Sequence, residues 1–418
     1  MTTKNLITKG IVSALSLAAV SFSTLATAAT TLSSATILEF ADEKTLFVAD
    51  SDASQILAFE MPEVKAAKDS VAYNLKGAGS KIAQLLGTDS SKLSYHDIAV
   101  HPLSKEVYVS VSVQEKGKSL PAVIRVNQTG QYSKVNLSKY PSTTKAIEKT
   151  ATDDVTFWRD IPAASLAITD LDYVNGTLYV SSLSTGEFSS TLRQISYPFN
   201  QNKSDTAHVE IYHTVHDQTE TRAPIRAMTV LDLDGVETVV AAYTCTPLVT
   251  IPTKALTEGA HVKGKTVAEL GYGNTPLDVI HFSAPNEQYQ MEEFVLVLHK
   301  ERNADLIRVA DLAQANKKTG LSEPEMWAQA GVKSRPLPLA GVLQAADQDG
   351  QFIATLRRNL TTGDMDIVSF RKGAYFRLND FISEYNFPDY KYSEEQEMYR
   401  EFQNVLKADS GYSDLTRK

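Results

Sequence analysis

One stretch, residues 168–182, constrains the fold of this chain more than any other. It reads Ile-Thr-Asp-Leu-Asp-Tyr-Val-Asn-Gly-Thr-Leu-Tyr-Val-Ser-Ser, so that two alternating apolar segments flank the pair Asn175-Gly176. Asn-Gly between such segments is a strong β-hairpin signal, because both turn residues must accept a positive φ. Comparable segments recur along the chain, and this recurrence predicts a repeated β architecture.

The recurrent segments form six sets of short strands, each with period-2 apolar alternation. The sets fall within residues 35–75, 97–137, 168–213, 226–270, 277–333 and 341–378. A four-stranded sheet cannot bury both of its faces alone, whereas sheets stacked around an axis bury them mutually. The sequence therefore predicts an all-β, six-bladed β-propeller. Seven blades stay open, because residues 138–162 and 310–336 are long enough to hide one.

Each predicted blade needs a fourth, outermost strand. For the first, fifth and sixth sets they are predicted at residues 70–75, 331–333 and 374–378. The spacing between sets is longer than the roughly 40 to 50 residues of common propeller repeats. The extra length must lie in loops, and the longest of them, residues 138–167, is expected to cover one end of the propeller.

The two ends of the chain are predicted to lie outside the propeller, which spans residues 29–383. Residues 1–28 have a positive start, an apolar segment and the small-x-small sequence Ala26-Thr27-Ala28, as in a signal peptide. We therefore expect a soluble protein that is exported to the periplasm or secreted. No segment approaches the roughly 20 apolar residues of a membrane span, so membrane insertion is not expected. Residues 384–418 form a polar extension with a short predicted helix.

The net charge and the cysteine content restrict which binding partners and which stabilising interactions are expected. The net charge is −9, which disfavours nucleic acid, since phosphate binding needs a basic surface. Cys245 is the only cysteine, so the folded chain has no internal disulfide. Its stability must come from burial of apolar surface and from strand pairing. The expected partner is a small molecule or another exported protein.

Polar residues cluster at one predicted end of the blades. In a propeller, the connections that enter the innermost strands share a face with those that join second to third strands, around the central opening. Such a mouth is the usual ligand site of closed β architectures. The candidate ligand-binding residues on this face are Asp97, Arg226, Cys245, His299 and Arg302.

Three further residues of this face are candidates for chemistry. His96 is placed as a general base, and Asp170 and Asn274 as ligands of a divalent metal. Asp50 and Asp52 would add the oxygen ligands that Ca²⁺ prefers. A competing interpretation is that acidic and imidazole groups at the start of inner strands only cap exposed backbone N–H groups.

Cys245 lies next to the predicted mouth and offers a different chemistry. With His96 or His299 it would form a soft ligand set that suits copper or zinc. The competing interpretation is a buried small apolar side chain. The pair His213 and His216 is predicted to be polar surface at the end of an outer strand. The only cofactor expected is one divalent metal: calcium, zinc or copper.

Two segments resemble blades of known propellers. They are Asp97-Ile-Ala-Val-His-Pro102 followed by residues 106–110, and residues 171–181. The resemblance is to the NHL-type, YncE-like and gluconolactonase/strictosidine synthase-like groups, and it is architectural. In the lactonase group, Glu, Asn and Asp at the inner ends of different blades hold a central metal. The resemblance implies such positions for Asn274 and Asp170, whereas Glu39 lies at the far end of its strand.

These observations favour an exported β-propeller that acts as a binding or scaffold protein through its loop-rich mouth. The alternative is a metal-dependent lactonase or esterase with His96 as base. A third hypothesis is copper or redox handling through Cys245 and a histidine. No nucleophile elbow, zincin motif or phosphate-binding glycine loop occurs in the sequence.

Overall fold

The structure is a computed structural model that describes residues 31–157, 160–199, 204–286, 288–326, 328–339 and 341–372. The predicted signal peptide (1–28), the strand at 374–378 and the C-terminal extension (384–418) lie outside the described residues. Within these ranges, no helix has the length and apolar character needed to cross a membrane.

The described residues between 31 and 213 form fifteen strands and one α-helix. In chain order the strands are β1 (Ile37–Asp42), β2 (Thr45–Asp50), β3 (Gln55–Glu60), β4 (Asn74–Leu75), β5 (Leu93–Val100), β6 (Val107–Glu115), β7 (Lys118–Val126), β8 (Tyr132–Lys134), β9 (Ser142–Ala146), β10 (Thr156–Phe157), β11 (Ile161–Pro162), β12 (Asp170–Val174), β13 (Thr177–Leu183), β14 (Ser190–Ser196) and β15 (Ser204–His213). Helix α1 (Ala78–Leu86) lies between β4 and β5.

The second half continues the same pattern. Its strands are β16 (Gln218–Glu220), β17 (Ile225–Asp232), β18 (Glu237–Tyr243), β19 (Pro247–Pro252), β20 (His261–Lys263), β21 (Lys265–Glu269), β22 (Pro276–Pro285), β23 (Met291–His299), β24 (Ala304–Arg308), β25 (Ala330–Gly331), β26 (Arg335–Leu337), β27 (Val342–Asp347), β28 (Phe352–Arg358) and β29 (Met365–Arg371). Helix α2 (Val309–Asn316) follows β24.

Six antiparallel sheets form the blades, and we number them by the chain order of their innermost strands. Blade 1 is β1-β2-β3-β9, blade 2 is β5-β6-β7-β8, and blade 3 is β12-β13-β14-β15. Blade 4 is β17-β18-β19-β21, blade 5 is β22-β23-β24-β26, and blade 6 is β27-β28-β29-β4. The predicted six-bladed propeller is therefore confirmed. The segments considered for a seventh blade supply β9, the β10–β11 hairpin, α2, β25 and β26 instead.

The blades do not follow one another around the ring in chain order. The inner strand β1 contacts β5 on one side and β12 on the other. Contacts then run from β12 to β17, β22 and β27, and β27 returns to β5. The ring order is thus 2-1-3-4-5-6, with blade 2 between blades 1 and 6.

This order changes the assignment of three outer strands. The segment predicted to complete blade 1 instead pairs β4 with β29 of blade 6, and β9 completes blade 1 after the chain has built blade 2. The predicted fourth strand at 331–333 was also wrong, because β25 pairs with β21 of blade 4 and β26 completes blade 5. The chain reaches blade 2 from β4 of blade 6 and continues from it to β9 of blade 1. These two connections close the ring.

Each of the six junctions between neighbouring blades contains its own hydrophobic cluster. At the junction of blades 1 and 3, for example, Phe47 is fully buried and its ring meets that of Tyr197 edge-on at 4.9 Å. Helix α1 buries Ile82 in the junction of blades 2 and 6. Each blade therefore buries apolar side chains on both of its faces, one against each neighbouring blade.

The hairpin at residues 168–182 forms as predicted. Val174 pairs with Thr177 across the turn, and Asn175 and Gly176 have φ of 50° and 83°. The tight turn fixes the register of β12 against β13. This register places Asp170 at the opposite end of β12, on the axis of the ring.

Candidate functional site: the axial channel

Two cavities lie along the axis of the ring. The mouth-side cavity, of about 290 Å³, is lined by residues at the start of the inner strands, and the far-side cavity, of about 270 Å³, is lined by the later part of these strands. Four residues line both cavities: Ile37, Asp97, Asp170 and Asp278. The cavities therefore meet at three aspartates and form one axial channel.

Each of these aspartates joins two neighbouring blades. Asp97 Oδ2 accepts the N–H of Leu38 in blade 1 at 2.7 Å, and Asp170 Oδ2 accepts the N–H of Met228 in blade 4 at 2.7 Å. Asp278 Oδ2 accepts the N–H of Ala345 in blade 6, also at 2.7 Å. Inner strands of neighbouring blades do not pair with each other, so an N–H that faces the axis needs such an acceptor. The capping interpretation of Asp97 and Asp170 is consistent with these contacts.

Two more carboxylates lie in the same channel. Asp172 accepts the N–H of Val230 at 2.5 Å and the hydroxyl of Thr229 at 3.0 Å, which adds a second link between blades 3 and 4. Glu39 lines the far-side cavity and accepts a backbone hydrogen bond from Tyr173, across the junction of blades 1 and 3. Asp347 also lines the far-side cavity, but it forms an ion pair with Lys372. The channel therefore holds five further carboxylates, on four blades.

Irregularities in the inner strands help to place the channel residues. The pairing register shifts between Tyr95 and Asp97 in β5 and between Pro276 and Asp278 in β22. A similar shift surrounds Arg226 in β17. An extra residue at a bulge turns the following side chain to another direction. His96 and Arg226, the bulged residues, line the mouth-side cavity together with Asp97 and Asp278.

All five carboxyl groups are harder to ionise than usual. Burial raises the pKa of Asp278 to about 7 and that of Asp172 to about 6. Burial, and then the charge of Asp278, raise the pKa of both Asp97 and Asp170 well above the ordinary value. The pKa of Glu39 is also raised well above its usual range, by burial and then by the charges of Asp172, Asp170 and Asp97. Burial and mutual repulsion thus outweigh the backbone hydrogen bonds, which favour ionisation.

In the part of the chain that the structure describes, none of these five carboxylates forms an ion pair. Arg226 lines the mouth-side cavity, and its Nε is buried without a hydrogen-bond partner. His96 Nε2 lies 2.8 Å from Ser112 Oγ, and burial lowers the pKa of this imidazole. The channel thus holds five carboxyl groups without an ion-pair partner among the described residues, and a guanidinium nitrogen without a hydrogen-bond partner lines its mouth side.

Six of the candidate residues lie outside the channel lining, namely Asp50, Asp52, Cys245, Asn274, His299 and Arg302. His299 is buried at the end of β23, with its Nε2 2.9 Å from Asp305 Oδ2. Asn274 is also buried, and its Oδ1 accepts the N–H of Thr275 at 3.0 Å. Asn274 and Asp170, the two positions implied by the lactonase resemblance, therefore do not line one cavity.

Arg302 and Cys245 lie in turns between second and third strands. Arg302 Nη2 donates to the carbonyl of Tyr272 at 2.8 Å. Cys245 is half-buried, and burial, aided by the charges of Glu269 and Glu220, raises the pKa of its thiol. A thiol that resists ionisation is a poor nucleophile.

Asp278 and Asp172 were not predicted from the sequence, and Glu39 was set aside because it lies at the far end of its strand. A signal for the first was present, because Asp97, Asp170 and Asp278 are each followed by a branched aliphatic residue at the start of an inner strand. Comparing the predicted sets position by position would have aligned these three aspartates. The predicted covering loop also reaches the site, since Ser165 and Leu166 line the mouth-side cavity.

Comparison with known proteins identifies no family. No family model matches the chain, and no curated protein matches it. Among solved structures, extracellular domains 1–2 of Drosophila semaphorin 1b match with a TM-score of 0.35 at 8% identity, over 80% of this chain and 84% of that one. The PQQ-bound aldose sugar dehydrogenase from Streptomyces coelicolor matches with a TM-score of 0.31 at 9% identity, over 78% and 90% of the two chains. Such low scores carry no argument about function, so the fold assignment rests on the sheets themselves.

Proposed function

We propose that this protein is a binding protein whose axial channel takes a small organic molecule with a protonated amine and an acidic group. The observation that carries the proposal is the set of five channel carboxylates without an ion-pair partner among the described residues. Buried charge is normally paired, because an unpaired charge is costly to desolvate. A ligand cation supplies the missing partner.

The spacing of the carboxylates favours an amine over a bare metal ion. Within the described ranges, no three channel carboxylates bring oxygen atoms within 4.8 Å of one another. A metal ion needs ligands that converge on one point. Ca²⁺, for example, coordinates oxygens at about 2.3–2.6 Å. An ammonium group carries three N–H donors that point in different directions. Asp97, Asp170 and Asp278 surround the axis from three blades, so these donors would reach them directly or through a bridging water.

The acidic group of the ligand is assigned to Arg226. Its side chain lines the mouth-side cavity, its Nε is buried without a hydrogen-bond partner, and burial lowers the pKa of this guanidinium. A ligand carboxylate would pair with it and remove the desolvation cost. The two cavities, near 300 Å³ each, lie at the lower end of the range for ligand pockets, about 300–1,000 Å³. We therefore place a molecule of amino-acid size across the level of the aspartates.

Calorimetry on the full-length chain tests this proposal with a ladder of amino acids of increasing amine-to-carboxylate spacing, from β-alanine through 4-aminobutyrate and 5-aminopentanoate to 6-aminohexanoate. Methyl esters and N-acetyl derivatives are the matched ligand controls. Binding of one member should weaken at least about tenfold in Asp278→Asn and in Arg226→Gln, since loss of one partner of a buried charge pair costs about 2–5 kcal/mol. Asp69→Asn and Arg302→Gln, at exposed positions away from the channel lining, are the protein controls. Failure of every compound to bind, or equal binding by wild type and both channel variants, would overturn the proposal.

The proposal includes export, which rests on the signal-peptide pattern of residues 1–28. Expression of the full chain in a Gram-negative host, followed by mass measurement of the periplasmic protein, tests this part. Cleavage after Ala28 is expected. Intact protein retained in the cytosol would contradict it.

A further inference from the structure

A second cluster of reactive side chains lies at the junction of blades 3 and 4, outside the channel lining. His213 ends β15, His216 lies in the turn that follows it, and Cys245 lies in the turn between β18 and β19. From the sequence, the histidine pair was expected to be polar surface and Cys245 to pair with His96 or His299. The structure instead brings Cys245 to His213 and His216.

The donor atoms of these three residues converge. One ring nitrogen of each histidine and the Cys245 Sγ all lie within 4.8 Å of one another. Nitrogen and sulfur ligands of a tetrahedral zinc site are separated by about 3.5 Å, given metal–ligand bonds of about 2.0–2.3 Å. Small rotations of the side chains would close the remaining gap. No other group of three such donors converges in the described ranges of the chain.

Glu220 orients both imidazoles. His213 Nδ1 lies 2.8 Å from Glu220 Oε2, and His216 Nδ1 lies 2.5 Å from Glu220 Oε1. A carboxylate that accepts the Nδ1–H of a histidine leaves the lone pair on Nε2, which is the tautomer that binds metals. One carboxylate therefore prepares two histidines at once.

The Nε2 atom of His213 is the strongest sign that a ligand is missing. The side chain is 1% exposed, and this nitrogen has no hydrogen-bond partner. A buried nitrogen without a partner costs about 1–3 kcal/mol. A metal ion between His213, His216 and Cys245 would satisfy it.

The turn that carries Cys245 is held in an unusual conformation. Cys245 and Thr246 have φ of 78° and 121°, although neither is glycine, and such conformations persist only where the surroundings impose them. The buried carboxylate of Glu269 accepts hydrogen bonds from the hydroxyls of Thr246 and Thr214, the residues that follow Cys245 and His213. Glu269 thus clamps both ligand-bearing segments of the chain.

We propose that His213, His216 and Cys245 form a binding site for one thiophilic metal ion, Zn²⁺ or Cu⁺. Two imidazole nitrogens and one thiolate suit these ions and disfavour calcium or magnesium. The side chain of His216 is 44% exposed, so the cluster is open to solvent on the side of this residue. The thiol proton leaves as the Cys245 sulfur binds the metal, and the metal keeps its oxidation state.

Metal titration of the full-length chain tests the site. Co²⁺ as a spectroscopic substitute for zinc should give one equivalent of a tetrahedral spectrum with a thiolate-to-cobalt charge-transfer band, and Zn²⁺ should displace it. Competition with a chromophoric Zn²⁺ chelator and with bicinchoninate for Cu⁺ determines which ion binds more tightly. Glu220→Gln should weaken binding about 10–100-fold, as expected for the partner of a ligating histidine. Cys245→Ser, His213→Gln and His216→Gln should abolish the charge-transfer band or the tetrahedral spectrum.

His208→Gln is the matched control, because His208 also lies beside a second histidine, His261, with ring centroids 5.7 Å apart. Alkylation gives an independent readout, since Cys245 is the only thiol in the chain. Zn²⁺ should protect it from iodoacetamide in the wild type and in His208→Gln, but not in the exposed-site variant His216→Gln. Absence of a charge-transfer band in the wild type, or equal protection in His216→Gln, would overturn the proposal. Neither result bears on the amine ligand of the channel.

Discussion

Replacing Asp278 by asparagine should make the stability of this protein less dependent on pH. A carboxyl whose pKa rises from 3.8 in the unfolded chain to about 7 in the folded protein keeps its proton in the folded state between these values. Its contribution to stability is therefore complete below about pH 4 and is lost as pH rises toward 7. Ionising Asp278 in the folded protein costs about 4 kcal/mol more than in the unfolded chain, at about 1.4 kcal/mol for each pKa unit.

The expected difference follows from this slope. Between about pH 5 and about pH 6.5 the Asp278 carboxyl should cost the wild type about 2 kcal/mol of unfolding free energy, and Asp278→Asn should not show this loss. The loss of one acceptor for the Ala345 or Val279 N–H adds a cost that does not vary with pH, so it cancels from the comparison. The charge of Asp278 also raises the pKa of Asp97 and Asp170, so its removal reduces their share of the slope in the same direction.

Urea unfolding of wild type and Asp278→Asn at the two pH values measures this effect, with Asp69→Asn as an exposed control. The variant should gain about 2 kcal/mol relative to the wild type between the lower and the higher pH. A free-energy difference between the two proteins that is the same at both pH values would refute the reasoning. It would mean that Asp278 is ionised in the folded protein throughout this range.

Three further predictions concern the fold. Gly176→Ala should destabilise the protein by about 1–2 kcal/mol in urea unfolding, since its φ of 83° disfavours a side chain. A Cβ meets only open space at both Gly176 and Gly350, but Gly350 has no positive φ, so Gly350→Ala should have little effect. Phe47→Ala should cost about 3–5 kcal/mol because the ring is fully buried between blades 1 and 3, and a cost as small as that of Phe157→Ala on the exposed hairpin would contradict this packing. In a Cys245→Ser background, cysteines at Asn74 and Val368, which pair across β4 and β29, should form a disulfide detectable by mass measurement, whereas a pair at Asn74 and Ala58 should stay reduced. The opposite result would restore the sequential blade order.

The sequence predicts what local patterns determine. The hairpin at Asn175-Gly176, the six sets of strands, and the placement of Asp97 and Asp170 at the axis all follow from alternation and turn chemistry. The partner of β4 does not, because a two-residue strand carries no signal that distinguishes an edge nearby in the chain from β29, almost 300 residues away. The convergence of His213 and Cys245 was beyond prediction for the same reason, since it depends on how blade 3 packs against blade 4. The packing of blades around the ring, rather than any local segment, determines both the partner of β4 and the convergence of His213 with Cys245.

The channel carboxylates link the architecture of this propeller to its proposed ligand. The inner strands need acceptors for backbone N–H groups that face the axis, and carboxylates supply them between blades 1 and 2, 1 and 3, 3 and 4, and 5 and 6. The same arrangement brings several carboxylates together in a buried channel, where their negative charge is unfavourable. Either protons or a bound cation must therefore neutralise them. A bound amine should therefore stabilise the fold more at pH 8 than at about pH 5, because at the lower pH the carboxyls already hold protons. Asp170 and Asp172 at the axis, and the His213–Cys245 cluster, both join blade 3 to blade 4. Amine and metal should thus each stabilise this junction.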